Sequence, residues 1–247
     1  MQKKRLDLAL VEAGLAQSRE RAKALIMSGR VRVAGQMADK PGTPVASNDE
    51  ILLIGEDIPY VSRGGLKLAA ALDQIHMRAD NLICMDVGAS TGGFTDCLLQ
   101  YGAARVYAVD VGYGQLAWKL RQDDRVIVIE RTNIRHMPHA VIPEPLDLIT
   151  VDASFISLKI IIPVIIPFLK PAGQILALIK PQFEVGKGEV GKGGVVRDPE
   201  KHQEVIDSLS VFFKQLGLWA GPVIQSPVPG PKGNREFMIL LKNKNAA

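Results

Sequence analysis

Cysteine is scarce in this chain: 247 residues carry only Cys84 and Cys97, and they form no CxxC pair. That argues against a disulfide framework or a cysteine-bound zinc and fits a reducing, cytoplasmic setting. Long apolar runs are also missing. The most hydrophobic stretch, "FISLKIIIPVIIPFLK", is interrupted by Lys159, Pro163 and Pro167. It is too short to span a bilayer and reads as a buried amphipathic helix with irregular ends, so no membrane partner is expected. The start, "MQKKRLDLAL", has neither the apolar core nor the cleavage site of a signal peptide. There is no internal repeat and no low-complexity tract. Histidines number four. His136 and His139 form an HxxH, but Pro138 breaks the helix that would align them, and no acid or cysteine completes a ligand set. No metal is expected. His76 and His202 read as helix-surface residues.

What is present describes an ordinary globular protein, with 47% hydrophobic and 23% charged residues and a net charge of +4. The length suits one α/β domain with a small appendage. Base is concentrated at the start: Met1 to Lys40 holds nine lysines and arginines against four acids. "RLDLALVEAGLA" has helical spacing and stops at Gly14. "SRERAKALIMSGR" is predicted as a second helix, with Ser18 as N-cap and Gly29 as terminator. "VRVAGQ" and "EILLIG" read as short strands. Arg19 and Lys23 share a helix face, and Arg30 and Arg32 a strand face. A solvated surface explains such charge as readily as a grip on phosphates does. The order helix, turn, basic helix, strands resembles the small αL-type RNA-binding module of a ribosomal protein, pseudouridine synthases and tyrosyl-tRNA synthetases. That resemblance implies RNA contacts from Lys3, Lys4, Arg5, Ser18, Arg19, Arg21, Lys23, Arg30 and Arg32. Residues 1–58 are read as this module and 59–63, around "PYVSR", as a linker. Beyond it, strands and helices alternate. Strands are predicted at "LICMDV", "RVYAVDV", "RVIVIE", "LDLITVD", "QILALIK" and "EFMILLK", and helices near 66–76, 93–101, 156–169 and 199–216. Such alternation builds a mainly parallel sheet covered on both faces.

"DVGASTGGFT", Asp86 to Thr95, joins a predicted strand to a helix. It lacks G-x-G-x-x-G, because Ser90 stands where the second glycine belongs. Asp86 at the strand end suits a cationic or hydroxylated ligand better than a pyrophosphate. Asp110, ending the next strand, can accept both ribose hydroxyls of an adenosine. Phosphate-free adenosine joined to a cationic amino acid is S-adenosylmethionine, although NAD stays open on these residues alone. Asp86, Gly88, Ser90, Gly92, Gly93, Phe94, Asp110 and Asp152 are the candidate cofactor residues. "GKGEVGKGG" nearly fits a phosphate loop, but Gly193 replaces the hydroxyl that holds magnesium and the next helix starts late. A glycine-lysine loop beside the active site accounts for it better. Asp152 and Lys180 end two further strands, and a lysine closing an apolar strand is unusual. Lys67 and Glu236 frame them. Asp86 and Asp152 could also serve only as turn caps, and Glu236 as a surface strand residue.

The set "SRGGLKL", "DVGASTGGFT", "AVDVGYGQL", "VDASFISL", "KPQFEVGKGEVGKGGVVRD" and "GNREFMI" resembles the TlyA family, ribosomal RNA 2′-O-methyltransferases historically labelled hemolysins. Their catalytic part is similar to the FtsJ class. The resemblance implies a Rossmann-like class I methyltransferase sheet over residues 64–247, mainly parallel with its last strand antiparallel, preceded by a small α+β RNA-binding domain. It implies a catalytic set at Lys67, Asp152, Lys180 and Glu236, and a part for Ser62 and Arg63 between the RNA and cofactor sites. S-adenosylmethionine would be the cofactor, and ribosomal RNA or a ribosomal subunit the partner. Cytidine is the implied nucleoside. The short tail "LLKNKNAA" favours the large subunit alone, and no oligomer is implied. A ribose hydroxyl must lose its proton to react, and an unperturbed lysine is neutral in only about one molecule in 2,500 at pH 7. A lysine lowered to about 8 becomes a usable base. Lys180 is the expected base, Lys67 the group steadying the alkoxide, and Asp152 and Glu236 the groups orienting them. Other readings are a ribosome-assembly factor that only senses the donor, which would not need all four residues, and a cytolysin, which would need a membrane-inserting segment. Lys232 is a further candidate for an RNA phosphate.

Overall fold

The computed structural model describes residues 3–244, apart from 17, 28, 55–57, 187 and 192. The chain divides into two compact units, Met1–Pro59 and Tyr60–Ala247.

In the first unit, β1 (Lys4–Arg5) leads directly into α1 (Leu6–Glu12), followed by α2 (Arg19–Met27). Leu6 and Leu10, one turn apart, pack with Ala22, Leu25 and Ile26 into a small core. Ser18 Oγ accepts from the Arg21 amide at 3.1 Å, capping α2. "VRVAGQ" is a hairpin rather than one strand. β2 (Val31–Val33) and β3 (Gln36–Ala38) turn over Ala34 and Gly35, at φ 48° and 80°. Two positive-φ residues match the twist of the flanking strands. β4 (Pro44–Val45) pairs with β1, and β5 (Ile51–Leu53) with β2.

The second unit contains α3 (Gly64–Gln74), β6 (Ile83–Val87), α4 (Gly93–Gln100), β7 (Arg105–Val109), α5 (Trp118–Arg121) and β8 (Val126–Ile129). β9 (Leu146–Val151), α6 (Leu158–Ile165), β10 (Leu169–Ile179), α7 (Pro199–Gln215), β11 (Leu218–Gln225) and β12 (Phe237–Asn243) complete it. One seven-stranded sheet runs β11-β12-β10-β9-β6-β7-β8. Its pairings are parallel except those of β12, which runs against both neighbours. Period-2 alternation splits each strand between two cores. Ile175, Ala177 and Ile179 pack with α6 and α7, whereas Leu176 and Leu178 pack with α3 and α4. β11 is a strand that sequence patterning overlooks. It contains Gly221 and Pro222, tolerated because it lies at the sheet edge and its register shifts between Ala220 and Val223. The apolar "IIIPVII" helix is shorter than its pattern. After Pro163 it passes at Ile166 into a 3-10 turn, Ile166–Phe168.

Candidate active site

Reversal of β12 builds the site. Asp152 follows the end of β9 and Lys180 the end of β10, so both stand on the carboxyl edge. Because β12 is antiparallel, its beginning lies at that same edge: Ile179 pairs with Phe237, which places Lys180, just past β10, next to Glu236, just before β12. Lys67 comes from the first turns of α3. Its Nζ donates to Glu236 Oε2 at 2.6 Å, with Lys67 8% and Glu236 1% exposed. Lys180 Nζ lies 2.5 Å from Asp152 Oδ1 and donates to Ser154 Oγ at 2.9 Å. The Asp152 contact is an ion pair without directed hydrogen-bond geometry. Lys180 is itself buried. Two nearly buried lysines are tolerable only because each has a carboxylate, since an uncompensated charge there would cost several kcal/mol. All four side chains line one cavity of about 520 Å³.

The glycine loop forms another wall. Gly88, Ser90, Gly93 and Phe94 line the cavity. Gly88 has φ 87° and passes so close to the neighbouring strand end that a Cβ would meet the Asp152 carbonyl oxygen at 2.8 Å. Gly92 has φ 93° and lies against Leu120, where a Cβ would sit 2.3 Å from its methyl. Neither position takes a side chain.

Asp86 departs from expectation. Its carboxylate does not face the cavity. It is fully buried, accepts from the Thr95 amide and hydroxyl at 2.9 and 2.7 Å, and ties β6 to the first turn of α4. Burial pushes its carboxyl up to about 7, against the lowering by Thr95. Asp110 also stands outside the cavity lining. It accepts from the Ser90 amide at 2.8 Å and the Gly112 amide at 2.6 Å, so it shapes the glycine loop, while each oxygen keeps a second lone pair for a ligand hydroxyl. His202 is a correction too. It is 4% exposed, with Nε2 2.9 Å from the Val196 carbonyl, and is not a surface residue. His139 stacks on Phe168, centroids 4.7 Å apart, and His76 is exposed. Among the described residues no cluster of three or more His, Cys, Asp or Glu is placed to hold a metal, and no helix is long and apolar enough to cross a membrane.

Sequence reasoning passed over several contributors. Phe155, 89% exposed at φ 63°, and Phe183 line the cavity with ring centroids 5.0 Å apart. Glu184 ties their two segments together, accepting from Ser157 Oγ at 2.6 Å and the Leu158 amide at 2.8 Å. Asn234, 2% exposed, accepts from the Val196 amide at 3.0 Å and donates to the Gly194 carbonyl at 2.9 Å. It thereby fastens the end of the glycine-lysine stretch, where Val190 and Gly194 also line the cavity. Lys187 and Lys192 of that stretch lie outside the described residues. Its following helix, α7, begins only at Pro199 with Asp198 as cap, too late to serve a phosphate loop. Nothing in the sequence marks Phe155 or Asn234; only their placement does.

Several amino-terminal cations are engaged within their own unit. Arg5 grips Asp7 through two 3.0 Å bonds, and Arg19 adds a third at 2.9 Å. Together, with Arg5 foremost, they hold its carboxyl well below the usual carboxylate range. Lys4 pairs with Glu12 at 2.7 Å, and Arg30 donates to the Ile54 carbonyl at 3.2 Å. Lys3 and Arg32 are exposed; Arg21 and Lys23 are half-buried. Arg63 precedes α3 without a side-chain cap bond and lines the cavity of the second unit.

A seven-stranded sheet of this order, with glycine-lined and lysine-carboxylate walls at its carboxyl edge, defines an α/β methyltransferase. The model of the FtsJ-like methyltransferase matches residues 60–243, and that of the S4 domain residues 4–51. Among relatives, the 16S/23S rRNA (cytidine-2′-O)-methyltransferase TlyA of Mycobacterium tuberculosis is 44% identical over 97% of this chain and 90% of its own. The 23S rRNA (cytidine-2′-O)-methyltransferase TlyA of Campylobacter jejuni is 36% identical over 74% of this chain and 72% of its own. A solved hemolysin-type structure from Streptococcus thermophilus superimposes with a TM-score of 0.79 at 42% identity, covering 99% of this chain and 90% of that one. The chain belongs to the TlyA/hemolysin A-like rRNA methyltransferases, built from an S4 domain and an FtsJ-like domain.

Proposed function

We propose that this chain transfers a methyl group from S-adenosylmethionine to the ribose 2′-hydroxyl of a cytidine in the 23S rRNA of the large ribosomal subunit. The observation that carries the reading is the meeting of Lys67–Glu236 and Lys180–Asp152 in one cavity walled by the glycine loop. Cytidine and 23S rRNA are common to the names of both curated relatives.

The residues fit the cofactor. Gly88 leaves backbone bare where a Cβ would collide, and Asp110 can receive hydroxyls beside the loop. Phe94 adds an apolar surface. When bound, S-adenosylmethionine supplies an electrophilic methyl group. The protein's task is to bring the ribose oxygen to it without its proton. Lys180 takes that proton, and its ammonium is held by Asp152 and Ser154. Lys67 steadies the charge developing on the oxygen, and Glu236 fixes Lys67. Phe155 offers an open ring face on which a splayed base can stack. Holding both partners in line should supply much of the rate. Residues 1–58, with Lys3, Arg32 and their neighbours, are assigned to RNA recognition. Residues 64–247 carry the transfer, and 59–63 join them.

The test uses tritiated methyl donor with ribosomal subunits from a strain lacking the modification, followed by mapping of the labelled ribose. Lys180→Ala should lower turnover by about 10²- to 10⁴-fold, the range of a lost general base, while calorimetry still shows donor binding. Near-normal turnover in a folded Lys180→Ala protein would remove the assigned base.

A further inference from the structure

Four cations and two acids line the described cavity: Arg63, Lys67, Lys180 and Lys232 against Asp152 and Glu236. The inner four neutralise each other in pairs. Arg63 and Lys232 are left over. Both are exposed, and neither side chain has an ion-pair or hydrogen-bond partner among the described residues. Lys232 is also held in a conformation that L-residues rarely adopt, φ 66° and ψ 8°. The turn that holds it is closed by the Gly230 amide on the Asn234 carbonyl at 2.9 Å and the Gly233 amide on the Gly230 carbonyl at 3.0 Å. Strain of this kind persists where the surroundings over-determine it, and it gathers at ligand sites.

A ribose inside an RNA strand arrives with a phosphodiester on each side, and Arg63 and Lys232 are cations without a counter-charge among the described residues. We infer that Arg63 and Lys232 form a two-point phosphodiester clamp that seats the backbone on either side of the target nucleotide. The inference rests on the ribose-methylation reading above. Its chemistry is anion recognition, and the carboxylate of the methyl donor is the other anion that could meet these cations. Both positions stand at the rim of the cavity that holds the inner pairs, so the clamp sets the depth to which the ribose enters.

The experiment measures equilibrium binding of unmodified large subunits across a salt series, together with calorimetry of the donor alone. It compares the wild type with Arg63→Gln, Lys232→Gln, the double variant, and the conservative Arg63→Lys and Lys232→Arg. Each glutamine should lower the slope of log K against log salt by about 0.7, the value for one cation on a single strand. Each should also raise KM several-fold, far more than it lowers kcat. The charge-keeping variants should recover the slope, and donor affinity should stay within twofold. An unchanged slope in the double variant overturns the clamp. So does a matching loss of donor affinity, which would assign these cations to the donor carboxylate. Binding slopes need no methyl transfer, so a wild type that labels no RNA yet loses slope in the variants would count against the methylation reading and leave the clamp standing.

Discussion

Gly230→Ala tests how tightly the buried pairs are built. Gly230 has φ −66° and ψ 175°, a conformation open to any residue, so its backbone does not demand glycine. The demand comes from Glu236. A Cβ on residue 230 would lie 2.0 Å from Glu236 Oε1 and 2.6 Å from its Cδ. Ordinary contact begins at 3.4 Å, so the carboxylate must retreat by about 1.4 Å. The Lys67 bond on its other oxygen is only 2.6 Å long, and both groups are nearly buried. Stretching it leaves a buried charge poorly matched; complete loss of such a partner costs about 3–5 kcal/mol. A displacement near 1 Å in a positioning group costs about 10²-fold in rate. Gly230→Ala is therefore expected to lower kcat by about one to two orders of magnitude and to lower Tm by several degrees, with donor affinity unchanged. The decisive assay is a thermal double-mutant cycle with Glu236→Ala. Without the carboxylate there is nothing for the new methyl to strike, so Gly230→Ala should then cost no stability. An equal Tm loss in both backgrounds, or a Gly230→Ala enzyme with normal kcat, would refute the reasoning.

Two further perturbations follow from displaced carboxyls. The folded value of Asp86, about 7, lies above its unfolded value of 3.8. The unfolded chain therefore releases its proton first, and stability declines as pH rises from about 4 to about 7, then stays level. Asp86→Asn should melt above the wild type by a margin that widens from pH 5 to pH 8, with a ceiling of about 4 kcal/mol; a margin independent of pH would show that the carboxyl is not responsible. Asp7 has the opposite sign, because Arg5 and Arg19 depress its folded value. Its stabilisation is present above the ordinary carboxylate range and lost as pH falls through the depressed folded value. Asp7→Asn should cost about 1.5–3 kcal/mol near neutrality and progressively less in strong acid, read by denaturant melts; a constant cost would mean packing rather than charge.

Residues at strand ends were the legible part of this molecule. A parallel strand buried on both faces is an apolar run, so the first polar residue after it, Asp152 or Lys180, marks the carboxyl edge where ligands gather. Burial is less legible. Asp86 has the same sequence context as Asp152, yet it turns inward because Thr95 and Thr150 meet it there. His202 sits on a helix with a polar pattern and becomes buried only because Val196 and Phe237 close over it. β1 and β4, two residues each, are too short to show any period. β11 was concealed by Gly221 and Pro222, residues that only an edge strand accepts. Gly230 shows the same limit from another side, since its requirement belongs to a carboxylate approaching from another segment.

The run of β12 against its neighbours has a consequence for biosynthesis. Lys67 and Glu236 are 169 positions apart, so an emerging polypeptide displays Lys67 long before the glutamate that pairs with it exists. Until β12 slots between β10 and β11, that ammonium has no counter-charge and the pocket lacks a side. The buried pair of Lys67 and Glu236 thus closes only when the last strand of the sheet is in place.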